Sequence, residues 1–115
     1  MRFVKIRHYT EVPPENVAEK GAERAKIRWL ITKDMGAEHF AMRLFEIEPG
    51  GCTPLHSHPW EHEVFILEGE GYVIGSNEKL AFKPGDAIFI PPNEVHQFLN
   101  PSSKTVRLLC LIPYM

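Results

Sequence analysis

Four of the six histidines in this 115-residue chain fall in two short segments. His56, His58 and His62 lie within seven residues of one another, and His96 follows a Pro91-Pro92-Asn93 turn. Neutral imidazole is a borderline donor suited to Fe, Co, Ni, Cu and Zn, so three or four rings meeting inside one fold make a site for a first-row divalent metal. Residues two apart on a strand share a face, so continuous pairing would project positions 56, 58 and 62 the same way. Glu63 competes with His62 for the same role, because a bulge at Pro59 would shift the parity by one. Four neutral rings leave such a site near the metal's own charge, which attracts an anionic substrate.

The elements that must position these rings are short and β-rich. Strands are predicted near 2–8, 26–32, 39–48, 55–67, 71–75, 79–82, 86–91, 95–100 and 105–112, broken by Gly, Pro and Asn turns. Helical periodicity is confined to 14–20, which allows one or two turns before Gly21. The pattern predicts an all-β antiparallel barrel. Alternation in 105–112 points Leu108, Cys110 and Ile112 inward and Arg107, Leu109 and Leu111 outward. In 39–48, an outer face with Glu46 and Glu48 puts Arg43, Phe45 and Ile47 inside and leaves Phe40, Met42 and Leu44 as an outward apolar row. An inward Arg43 would clamp a substrate carboxylate or enolate beside the metal; a different strand phase would leave it in solvent. Trp60 and Phe98 are candidate pocket walls, and Cys110 reads as a buried filler rather than a ligand.

Taken together, the two segments resemble the cupin motifs. Gly50, five residues, His56-Ser57-His58, three residues, His62, six residues and Gly69 follow the first motif; Gly85, Pro91-Pro92-Asn93, His96 and Asn100 follow the second. His62 stands where glutamate is usual, and Asn93 replaces a turn glycine. The resemblance implies a cupin jelly-roll β-barrel with at most a short N-terminal helical turn, and one cupin domain over 1–115 carrying its motifs at 50–69 and 85–100. It implies one divalent metal held by His56, His58, His62 and His96, with Mn or Fe favoured and Zn, Ni, Co or Cu also compatible. It further implies a small-molecule substrate; the outward apolar row of Phe40, Met42 and Leu44 predicts a homodimer, with the 2–8 strand pairing across to the second protomer as in small cupins.

Composition narrows the partners. With 43% apolar residues, 24% charged residues and a net charge of −2, nothing points to nucleic acid or a membrane. Cys52 and Cys110 form no CxxC pair, and a cytoplasmic protein is the expectation. The leading functional expectation is an oxygenase acting on a small organic molecule, with Arg43 as its catalytic clamp. The alternatives are a metal-dependent isomerase or lyase of a sugar or keto acid, with Glu61 or Glu63 as base, and a noncatalytic binding module.

Overall fold

The computed structural model describes residues 4–114. Among these residues nine strands run β1 (Glu15–Asn16), β2 (Glu23–Ile31), β3 (Phe40–Cys52), β4 (His62–Glu68), β5 (Gly71–Ile74), β6 (Lys79–Phe82), β7 (Ala87–Ile90), β8 (Gln97–Leu99) and β9 (Val106–Pro113). They form one curled antiparallel sheet in the order β6-β5-β8-β3-β9-β4-β7, with β2 on the free edge of β3 and β1 on β2. This is the all-β barrel architecture expected. Among the described residues the helical content consists of two 3₁₀ turns, Tyr9–Glu11 and Lys33–Met35, the first closed by a capping box between His8 and Glu11.

The long strand β3 organises the site. It pairs with β2 along one edge, with β9 over 40–47 on the other, and past Pro49-Gly50 it meets β8 at Cys52. Alternation along β3 and β9 sends Ile47, Leu108 and Cys110 into a buried cluster with Val64, Ile66, Val73, Phe82, Ile90, Phe98 and Val106.

Four expectations are corrected. The part of the 2–8 strand that is described has no ladder: Val4 and Ile6 are fully exposed, while Arg7 holds the segment by donating to the carbonyls of Trp29 and Leu30. The 14–20 segment is not helical. Pro13-Pro14 favour extended backbone, and pairing Glu15 with Ile27 and Asn16 with Lys26 outweighs a helix too short to nucleate. The 55–67 strand begins only at His62, because Pro54 and Pro59 deny the ladder two donors; one bridge, His56 to His96, marks the stretch before it. Finally, Leu44 is 2% exposed, so the outward apolar row on β3 reduces to Phe40 and Met42.

Glu46 lies on the outer face yet is buried. Its carboxylate accepts from Arg28 Nε at 2.9 Å and Arg107 Nε at 2.8 Å, and Arg107 also reaches Glu68 at 2.7 Å. Burial pushes the Glu46 carboxyl up, but the two guanidiniums outweigh it and hold the group below the ordinary carboxylate range. A lowered folded-state pKa gives stability that is complete above the unfolded value of about 4.3 and is lost as pH falls through the folded one. Glu46→Gln is therefore expected to cost about 1–2 kcal/mol at pH 7, discounted because Arg107 stays partly solvated. Urea unfolding of the variant should also depend less on pH below about 4.3 than that of the wild type. Equal pH slopes for the two proteins would remove Glu46 as a source of acid sensitivity.

Candidate metal centre

The ligand atoms of His56, His58 and His96 lie within 4.8 Å of one another. They converge although the 53–61 stretch is a loop, because the reciprocal backbone bonds between His56 and His96 clip that loop to the segment before β8. His62 enters from the first position of β4. Its ring centroid is 4.7 Å from that of His96 and 5.3 Å from that of His58. It lies outside the tighter triad but lines the same cavity. Glu63, its neighbour, is exposed on the opposite face of β4, opposite Leu111 and Phe89.

Hydrogen bonds fix how the rings are offered. His96 donates through Nδ1 to the Glu94 carbonyl at 2.9 Å, and His56 Nδ1 meets the Glu19 carboxylate at 2.6 Å. A carbonyl and a carboxylate only accept, so both Nδ1 atoms carry a proton, which leaves Nε2 as the nitrogen each ring can offer to a metal. Trp60 stacks on His58 at 4.4 Å with the planes 5° apart, which sets the plane of the third ring.

Three of the rings are also held neutral. Burial lowers the pKa of His58, His62 and His96, and repulsion from neighbouring histidines and Arg43 adds to it; His62 falls to about 3. Clustered neutral imidazoles are the protonation state a metal requires. His62 Nδ1 is buried without a hydrogen-bond partner, a polar atom of the sort a ligand would satisfy. The residues present fit a divalent transition metal.

The cluster opens on a cavity of about 390 Å³. Trp29, Phe45, Phe98, Leu108 and Ile112 give it apolar walls, and Arg43 projects into it from β3. The Arg43 guanidinium lies over the Phe45 and Trp29 rings, at 5.0 and 5.6 Å, and donates to Cys110 Sγ at 2.9 Å. Its Nε is buried and unpartnered. Burial pushes the Cys110 thiol up, which keeps it protonated at neutral pH. Glu61 and Glu63 are exposed and do not line the cavity; its carboxylates are Glu15 and Glu19, from the segment around β1. Sequence reasoning missed these two. The Glu19–His56 contact spans 37 residues and leaves no local signature.

Comparison with known proteins agrees with this fold. Residues 43–112 match the cupin domain family. The polyketide cyclase RemF from Streptomyces resistomycificus is 39% identical, with a TM-score of 0.91 over 96% of this chain and 80% of that one. A cupin-2 domain from Rhodospirillum rubrum is 26% identical, with a TM-score of 0.83 over all of this chain and 78% of that one. The 1-methylthio-D-xylulose 5-phosphate methylsulfurylase of Rhodospirillum rubrum is 35% identical over 71 residues, which are 62% of this chain and 46% of that protein. The chain spans about half the length of the curated relatives it matches. Both histidine segments and the strands that carry them lie inside the matched region, and the chain belongs to the cupin family.

Proposed function

We propose that the chain is a metal-dependent enzyme for a small, enolisable or phenolic anion, with His56, His58, His62 and His96 as ligands and Mn or Fe as the preferred metal. The observation that carries this reading is the single cavity in which the neutral histidine cluster, an aromatic wall and an unpartnered Arg43 Nε meet. A divalent ion there supplies Lewis acidity toward an enolate oxygen and, if it is Mn or Fe, redox reactivity. Arg43, whose side chain lines the cavity, binds a second anionic oxygen of the substrate through its guanidinium. Trp29, Phe45 and Phe98 receive a flat or aromatic substrate body, while Leu108 and Ile112 exclude water. Likeness to a polyketide cyclase favours proton transfer or carbon–carbon bond formation at activated carbonyls, a lyase- or isomerase-type reaction without oxidant.

An oxygenase is the second reading, favoured by a ligand set that contains no carboxylate among its four histidines. Metal content and turnover separate the two. The test loads the apoprotein with Zn, Mn or Fe and assays poly-β-carbonyl compounds and phenols with and without dioxygen. Anaerobic turnover, with Mn, Fe or Zn loaded, supports the first reading. Turnover confined to Fe or Mn with oxygen overturns it in favour of the second, and none with any metal moves the chain to a binding module. Arg43→Leu is expected to weaken binding of an aromatic carboxylate about 10- to 100-fold with metal content unchanged, read by calorimetry. Unchanged carboxylate affinity would remove the clamp.

We also read the protein as a homodimer. Met42, Leu111, Glu63 and Phe89 form one row across four strands of the outer face, flanked by exposed Phe65 and Phe40. Light scattering should give about twice the 13.2 kDa chain mass; a concentration-independent monomer would rule this out.

A further inference from the structure

We propose that Glu19 is a positioning residue of the metal centre: its carboxylate holds the His56 ring with Nε2 facing His58 and His96. The inference rests on the metal reading of the site and adds a residue that the family match does not contain, since that match begins at residue 43.

The contact is short, 2.6 Å from Glu19 Oε2 to His56 Nδ1, in the range of a charge-assisted hydrogen bond. An imidazole has two nitrogens that can ligate, and a ring free to flip presents each of them part of the time. Pinning the Nδ1 proton on a carboxylate removes the wrong tautomer and rotamer and raises the basicity of Nε2. His96 obtains the same service from the Glu94 carbonyl, two residues away. His56 has no such neighbour in its own loop and takes its partner from 37 residues upstream.

The backbone that carries Glu19 is itself anchored. Val17 N donates to the Ala25 carbonyl at 3.0 Å, and the Val17 side chain packs on the core. Ala22 N donates to the Glu19 carbonyl, and Gly21, at a φ of +100°, turns the chain back into β2. That return lies hard against Gly51, where an added Cβ would sit 2.6 Å from the Glu23 carbonyl oxygen and 2.9 Å from that of Arg24. An exposed ion pair at a frayed terminus would carry little weight. Here the carboxylate is half-exposed, but its segment is pinned and its partner ring is only 21% exposed.

The experiment titrates Co²⁺ into the full chain, with affinity from chelator competition and the ligand field from the visible spectrum. Glu19→Ala is expected to bind Co²⁺ about 10- to 100-fold more weakly than wild type, the usual cost of removing a carboxylate behind a ligating histidine. Glu19→Gln, whose amide oxygen still accepts from Nδ1–H, should recover part of that loss and shift the Co²⁺ bands. Glu23→Ala, an exposed acid on β2 outside the cavity, controls for net charge and should match wild type. Wild-type affinity in Glu19→Ala overturns the proposal, and so does an equal loss in Glu23→Ala. If wild type takes up no metal, the reading of the site fails and the role of Glu19 falls with it. If wild type binds, His56→Ala does not, and Glu19→Ala matches wild type, only the role of Glu19 is lost.

Discussion

Alanine at His56, His58 or His96 is expected to lower affinity for a divalent metal by at least about 100-fold, and Glu63→Gln to leave it unchanged. The size follows from ligand number: four donors share the roughly 10–16 kcal/mol of a transition-metal site, so each is worth about two to three powers of ten before rearrangement recovers some. These three rings already meet within 4.8 Å, so the fold has met the entropic cost of assembling them. His62→Ala should also weaken binding, which tests its proposed place as fourth ligand. Its burial-lowered pKa of about 3 keeps it available when other imidazoles titrate. The same lowering at His58 and His96 fixes the pH behaviour. Protons compete for a ligand only near its pKa, so uptake should hold as pH falls to about 6.5, the ordinary imidazole value, and fail only below it. Metal analysis after gel filtration, with titrations at pH 7.5, 6.5 and 5, checks both parts. Full occupancy in His96→Ala, or loss of metal in Glu63→Gln, would mean that a different set of atoms holds the ion.

How much of this was legible in the sequence depended on how local each cause is. The strands from β4 onward were readable because Gly and Pro turns bracket short alternating runs. Arg43 could be placed on the inner face because Glu46 and Glu48 fix the phase of β3, and it does line the cavity. The burial of Leu44 was not readable, since it depends on packing over the outer face and not on the strand's own pattern. The loop before His62 was misread although Pro54 and Pro59 signalled it; the histidine alternation looked like a strand but the ladder stops short. The least legible part was the segment carrying β1. Its seven residues suit a helix as well as an edge strand, and the decision comes from β2, ten residues further on. With it went Glu15 and Glu19, whose place in the cavity depends on that pairing.

Asn100→Ala is expected to cost about 3 kcal/mol, seen as a fall in Tm of roughly 10–20 °C, with metal uptake retained below the lowered Tm. Asn100 ends the second motif, where it could be mistaken for part of the ligand set. The structure gives it other work. It is 1% exposed; its Nδ2 donates to the Ile47 carbonyl at 2.8 Å and the Lys104 carbonyl at 2.7 Å. Its Oδ1 accepts from Ser102 N at 3.0 Å and Ser102 Oγ at 2.7 Å. Its backbone bonds to Gly50 and Gly51, so one residue ties β3, the end of β8 and the turn into β9. Alanine removes a donor from two carbonyls and an acceptor from Ser102, and the worst term is whatever stays buried and unpaired. Asn100→Asp separates shape from hydrogen bonding: it keeps the volume but turns carboxylate oxygens toward two carbonyls. It should be at least as damaging as alanine at pH 7 and should recover as acid returns a proton able to donate. A Tm within about 2 °C of wild type for Asn100→Ala would show that the turn carries itself, and normal stability with lost metal would put Asn100 back in the site.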